Sequence, residues 1–336
     1  MNISLPKETY PLEKRTVVLP NLVNLLVSAG HIVSVEQNLG SEIHISDDEY
    51  RSAGAKIIVN PIELYKNADM IVKLKSPSPE EFSLMQDSLL ICMFHSEQNP
   101  DHLFYAKKNN LSVIELESIK TDSNERLINQ TDLTGLQGVY YALRHFDKTP
   151  EDMNALILGY GNVSSGAFTA CTRLGMNTKI LRKSEYKFVS DYLKNTDLLV
   201  NGITWPESAR KKKEYIVSRE DIINSNKSLV ILDLSVDFPN PIETIKPTSY
   251  SHPFYLEEDR VHISIYGYPG LVPISSSKKY SSQLEDILLL IANNDGIRGI
   301  QNRSDLGKYI KRGYIDPTKI DLGDYIPQGF IGSNIE

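Results

Sequence analysis

The sequence predicts an α/β fold: two Rossmann-like domains, each a parallel sheet flanked by helices, with a cleft between them. Three observations predict it. At 336 residues the chain is long for one hydrophobic core. Short apolar runs alternate with helix-compatible stretches, the pattern of parallel strands joined by helical crossovers. The alternation breaks once, at the polar stretch 119–131, and restarts at Ala155.

In the first third, Val17 to Leu19 and Ile32 to Val35 read as strands. Between them Pro20 to Ala29 reads as a helix, with proline at its start and Gly30 just past its end. Further strands are expected at Lys56 to Val59, Met70 to Lys75, Leu89 to Phe94 and Leu111 to Leu116. Residues 119–131 read as a linker and Leu133 to Phe146 as a connecting helix. The second unit runs through strands near Ala155, Thr178 to Leu181, Asp197 to Ile203, Leu229 to Leu234 and Val261 to Tyr266. A helix at Tyr280 to Ala292 is expected to cross back. Residues from 297 onward show no periodicity and read as an irregular surface tail. Residues 1–132 with 275–336 are expected to form one domain, and residues 133–274 the other.

A net charge of −7 and a pI near 5.6 argue against nucleic acid, which needs a concentrated positive face. The one dense basic run, Arg210 to Lys213, reads as a solvated loop. Cys92 and Cys171 sit apart in apolar segments and form no C-x-x-C pair, so neither a metal site nor a disulfide is expected. They read as small core residues in a reducing compartment. The N-terminus lacks a signal peptide's apolar stretch, and no window reaches the roughly 18 apolar residues of a membrane span. A soluble, cytoplasmic protein is expected.

Ala155-Leu156-Ile157-Leu158 is a buried-strand run that ends in Gly159-Tyr160-Gly161-Asn162-Val163-Ser164-Ser165-Gly166, and an apolar helix follows from Ala167 to Leu174. Strand, glycine turn and helix together form the setting of a dinucleotide fingerprint. Gly159 permits the tight turn, Gly161 lets backbone approach a pyrophosphate with Asn162 and Val163 as further cofactor contacts, and the helix N-terminus offers free N–H groups. Ser164 replaces the usual third glycine, so strand and helix are expected to pack farther apart. The next strand ends in Arg182-Lys183-Ser184, where an NAD enzyme carries an acidic residue. Cations there pair with a 2′-phosphate, so NADP is expected over NAD. Glu185, close by, leaves a ribose contact and NAD open. The alternative for Arg182 and Lys183 is a solvated strand end, and for the turn a purely structural one.

Lys75 closes one predicted strand and His95 the next, and ends of parallel strands face ligand crevices. Upstream stand Pro6-Lys7-Glu8 and then Arg15, just before Val17-Val18-Leu19-Pro20. In this order, over roughly residues 5 to 293, the motifs resemble the alanine dehydrogenase and transhydrogenase family. That family includes lysine-forming saccharopine dehydrogenase and carboxyethylornithine synthase.

The resemblance implies that Arg15 binds a 2-oxo acid carboxylate, while Lys75 and His95 serve substrate binding and proton transfer. Asp233 to Asp237, followed by Asn240-Pro241-Ile242, resembles the saccharopine dehydrogenase segment at the nicotinamide end. Asp237 therefore reads either as a catalytic residue or as a loop turn before Pro239. Leu158 to Val163, Gly166-Ala167-Phe168, Arg182-Lys183 and Asn201-Gly202-Ile203 look closest to the NADP-using carboxyethylornithine synthase. Asn201 and Gly202 are accordingly implied cofactor contacts. Arg126 matches a carboxylate-holding arginine of saccharopine dehydrogenase. Gln98 stands where that enzyme has lysine, and Tyr266 and Gly267 replace its acidic and imidazole pair. The other histidines (His31, His44, His102, His145, His252 and His262) read as structural or exposed. The resulting expectation is NADPH-dependent condensation of a 2-oxo acid with an amino acid's amino group. Rival readings are an alanine dehydrogenase, a saccharopine-type enzyme and a non-catalytic NADP-binding module. Small molecules are the expected partners, and a homodimer the expected assembly.

Overall fold

The computed structural model describes residues 1–97, 99–300, 304–323, 325 and 327, so Gln98 lies outside the described residues. The chain divides into two units: Met1–Asn129 with Pro273–Glu336, and Gln130–Val272.

The first unit opens with β1 (Asn2–Leu5), α1 (Pro20–Ser28), β2 (Ile32–Glu36), α2 (Asp47–Ser52) and β3 (Lys56–Ile58). There follow α3 (Pro61–Lys66), β4 (Met70–Lys75), α4 (Pro79–Leu84), β5 (Leu89–Met93), α5 (Pro100–Lys108) and β6 (Ser112–Glu115). The second unit holds α6 (Thr131–Ala142), β7 (Asn154–Leu158), α7 (Asn162–Arg173), β8 (Asn177–Leu181), α8 (Val189–Leu193) and β9 (Leu198–Asn201). It continues with α9 (Glu207–Lys212), α10 (Arg219–Ile223), β10 (Val230–Asp233), β11 (Tyr255–Glu257) and β12 (Arg260–Ile263). The chain then rejoins the first unit through α11 (Pro273–Ala292), α12 (Asp305–Arg312) and β13 (Tyr314–Ile315).

The first sheet runs β13-β6-β5-β4-β1-β2-β3 and the second β11-β12-β10-β9-β7-β8. All pairs are parallel except the edge pairs β13–β6 and β11–β12. Helices flank both sheets, which is the predicted fold class. In the first unit α1 presents Leu22, Val23 and Leu26 to a core shared with Leu284, Ile287, Leu288 and Ile291 of α11. Each such side chain contributes about 1.5–3 kcal/mol by leaving water.

Several expectations are corrected. Val17 and Val18 are buried and Leu19 half-buried, but the segment is no strand, because side chains bond its backbone and that of Thr16. Thr16 N–H donates to Ser277 Oγ (3.1 Å), Leu19 N–H to Ser281 Oγ (3.2 Å), and Tyr50 Oη–H to the Val18 carbonyl (3.0 Å). The central strand beside β2 and β4 is instead β1, a run too short to carry a periodic signal. The Ser-rich start of α11 is helical from Pro273, not from Tyr280. Within the described part of the C-terminal stretch, residues 305–315 are not an irregular tail: α12 packs on the first core and β13 pairs with β6. Residues 119–131 fold back through a Lys120–Arg126 bridge and bury Ile119 and Ile128. The basic run is the end of α9, with Lys213 as its left-handed cap.

Candidate active site and dinucleotide turn

In the first unit, β4 delivers Lys75 and the end of β5 leads to His95. The two lysines of β4 have different fates. Lys73 is buried, ion-paired with Glu81, and donates to the Lys7 carbonyl (3.3 Å). Glu81 also accepts from Tyr65 Oη (2.6 Å) and Thr9 Oγ1 (2.6 Å), so this pair ties down the segment before Arg15. Lys75 lies instead with its Nζ 5.0 Å from the Tyr10 ring centroid. Glu8 holds its backbone, accepting from Leu74 N–H (2.6 Å) and Lys75 N–H (3.1 Å). Burial, then the Arg15 charge, lowers the Lys75 pKa.

Arg15 is buried, and its Nε donates to Glu13 Oε1 at 2.6 Å while Nη2 meets Glu13 Oε2 at 2.5 Å. Its Nη1 lies 3.5 Å from Ser276 Oγ. The Nε–Nη2 edge of Arg15 is thus engaged by the chain's own carboxylate. Burial alone would raise the Glu13 pKa; the Arg15 hydrogen bond and charge outweigh it and the pKa is lowered.

His95 adopts a left-handed backbone (φ 52°), which a non-glycine residue holds only when its surroundings enforce it. Glu117 enforces it. Its buried carboxylate accepts from the N–H groups of both Phe94 and His95, and Oε1 lies 3.4 Å from His95 Nδ1. Nδ1 is thus the ring nitrogen that faces the Glu117 carboxylate. Burial, then the charges of Lys75 and Arg126, lowers the His95 pKa. Arg126 is exposed, yet close enough for its charge to act on His95. Arg15, Lys75, His95 and Arg126 therefore form one electrostatic neighbourhood. His102 and His262 are structural, bonded to Phe94 O (2.7 Å) and Arg260 O (2.9 Å) respectively.

In the second unit β7 runs into Gly159, whose φ of 74° is glycine's region, and Gly161 precedes α7. A Cβ on Gly161 would meet nothing within 4 Å, and no side chain caps the first turn of α7 at Asn162 and Val163. The helix begins at Asn162, five residues before the expected Ala167. Ser164 is fully buried, and its bulk is accommodated at Gly202, where an added Cβ would lie 2.2 Å from Ser164 Oγ. Gly202 thus serves close packing rather than the strand and helix moving apart. Arg182, Lys183 and Ser184 are exposed at the end of β8. Glu185 accepts from Arg182 N–H (3.0 Å) and lies 3.7 Å from Lys179, which engages its carboxylate within the turn. Open space over an uncapped helix start, with cations beside it, fits a dinucleotide phosphate.

Asn201 is fully buried and its amide is spent internally, on Asp233 Oδ1 (2.8 Å), Ser235 Oγ (3.1 Å) and Ile203 N–H (3.2 Å). Asp237 accepts from Trp205 N–H (2.8 Å) and lies 3.7 Å from Arg210 Nη1. Sequence reasoning missed Glu13 and Glu117 as site residues, and named Asp233 only as the start of the segment resembling a nicotinamide end. Glu13 had a signal, two residues before Arg15; Glu117 had none, since it reaches His95 only through the fold. Among the described residues no helix is long and apolar enough to cross a membrane, and no His, Cys, Asp or Glu group is arranged for a metal.

Two family models match the chain: the alanine dehydrogenase/PNT N-terminal domain over residues 4–130 and the alanine dehydrogenase/PNT C-terminal domain over residues 180–312. The chain belongs to the alanine dehydrogenase/PNT family, and is an oxidoreductase of the alanine dehydrogenase-like class. It is 27% identical to alanine dehydrogenase 1 of Staphylococcus aureus (strain Mu50 / ATCC 700699), over 91% of each chain. Its fold matches an L-alanine dehydrogenase at TM-score 0.83 (22% identity, 94% of each chain). It also matches a transhydrogenase from Sinorhizobium meliloti at TM-score 0.75, with 20% identity, over 85% of this chain and 93% of that one.

Proposed function

We propose that this chain reductively aminates a 2-oxo acid of pyruvate size with NADPH, taking ammonia as the amine. The observation that carries the reading is the electrostatic neighbourhood of Arg15, Lys75 and His95, three groups suited to an anionic oxo acid and its proton transfers. The 27% likeness to an alanine dehydrogenase over 91% of each chain supports ammonia. A second reading, condensation with the amino group of ornithine or lysine, is favoured by the motifs Leu158 to Val163, Arg182-Lys183 and Asn201 to Ile203.

In either reading the substrate carboxylate pairs with Arg15 along the edge that Glu13 does not engage, with Arg126 adding positive charge. Lys75 donates to the oxo group as negative charge develops there. His95, held neutral by its lowered pKa, takes a proton through Nε2 from the incoming amine and returns it as water leaves the carbinolamine. A nicotinamide cofactor held by the residues around the Gly159 turn would supply the hydride for the reduction. Gly159, Gly161, Asn162 and Val163 would hold the pyrophosphate, and Arg182, Lys183 and Ser184 the 2′-phosphate. Asp237, at the end of the same sheet, remains a candidate for the reacting end.

The balanced reaction consumes oxo acid, ammonium, NADPH and a proton, and releases amino acid, NADP⁺ and water. Following NADPH and NADH oxidation with pyruvate or 2-oxoglutarate, against ammonia, ornithine and lysine, tests it. Turnover with pyruvate and ammonia is the expected result. Turnover only with an amino acid amine moves the assignment to the second reading, and none with any pair overturns both.

A further inference from the structure

Asp233 closes β10 as a fully buried carboxylate. Hydrogen bonds from Asn201, Ser235, Val236, Asn240 and Ser264 converge on it. Oδ1 accepts from Asn201 Nδ2 (2.8 Å), Ser235 Oγ (3.0 Å) and Ser235 N–H (3.3 Å). Oδ2 accepts from Val236 N–H (3.1 Å) and Ser264 Oγ (2.7 Å). Burial raises the Asp233 pKa, and the side-chain hydrogen bonds from Ser264, Asn201, Asn240 and Ser235 work against that rise.

The donors come from three neighbouring strand ends. Asn201 ends β9, Ser235 and Val236 follow β10, and Ser264 follows β12. The Asp233 carbonyl also accepts from Tyr268 Oη (2.7 Å), whose oxygen takes the Ile265 N–H (3.1 Å). Val236 is held at φ 55°, a conformation a β-branched residue does not adopt unless it is forced. The carboxylate therefore fixes three loops, 201–203, 234–237 and 264–268, at the carboxyl edge of β9, β10 and β12. The Gly159 turn and Arg182 belong to β7 and β8, the other half of this sheet. In doubly wound sheets one half receives adenosine and the other the second nucleotide.

We propose that Asp233 is the positioning residue of the nicotinamide half of the dinucleotide site, setting the loops after β9, β10 and β12. The inference rests on the dinucleotide reading above and adds that the two halves of the site respond separately. The test is a fluorescence titration with NADPH and a calorimetric titration with 2′,5′-ADP, which lacks the nicotinamide half. Both use the full chain as wild type, Asp233→Asn and Ser264→Ala.

Asp233→Asn should weaken NADPH by about 10-fold or more, since buried bonds to three strand ends are broken or left unsatisfied, and leave 2′,5′-ADP within about 2-fold. Ser264→Ala removes one donor and should weaken NADPH by roughly 3-fold with the same selectivity. It also keeps the question open to test if the first variant does not fold. A purely structural role would reduce the titrated fraction and not the dissociation constants. Unchanged NADPH affinity in the variants, or equal weakening of both ligands, overturns the inference. A wild type that binds neither ligand overturns the dinucleotide reading itself.

Discussion

Glu117 lies beneath His95 and grips it twice: its carboxylate accepts the His95 backbone N–H, and Oε1 stands 3.4 Å from Nδ1 of the same residue. One buried carboxylate thus holds the left-handed backbone and faces the ring at Nδ1. In Glu117→Gln the chain should fold, but kcat/KM should fall by roughly 10-fold to 100-fold, since a charge-assisted bond is worth about 1.5–3 kcal/mol. Steady-state kinetics beside a thermal melt checks it; full activity in the variant refutes the coupling.

The His95 pKa lies below its ordinary value of 6.5. Protonated His95 cannot accept a proton, so the acidic limb of the kcat/KM profile should fall below pH 6.5. Arg126→Gln removes one of the positive charges that lower this pKa, so the limb should move to higher pH. A limb that stays put would show that Arg126 does not act on His95.

Arg15→Lys keeps the charge and loses the planar fork. KM for the oxo acid should rise about 10-fold to 100-fold while NADPH affinity holds. Arg15→Ala is a poorer probe, because it leaves Glu13 as a buried unpaired carboxylate at a cost of about 3–5 kcal/mol. Parallel titrations of oxo acid and NADPH decide the matter, and equal weakening of both would refute the assignment.

Arg182→Ala should weaken NADPH about 10-fold and leave NADH nearly unchanged, since only the 2′-phosphate distinguishes the two. Equal loss of both would return Arg182 to the role of a solvated strand end.

Ser277→Ala removes the partner of the buried Thr16 N–H. Stability should fall by about 1–3 kcal/mol, the cost of an orphaned buried donor. Chemical denaturation measures it, and an unchanged midpoint would mean that water replaces the hydroxyl.

The sequence by itself determined the alternation of strands and helices, the glycine turn after β7 and the placing of Lys75 and His95 at strand ends. These are local matters, written in periodicity, glycine and chain order. Only the tertiary structure decided that Val17 to Leu19 is no strand, because its donors are taken by serines of α11, some 260 residues later. The fold likewise decided that Lys73 is neutralised by Glu81 while Lys75 lies near Arg15, two residues apart on one strand with opposite fates. The role of Glu117 and the partners of Asp233 were illegible for the same reason. A buried carboxylate acts on whatever the fold brings within about 3 Å, a distance set in space and not along the chain.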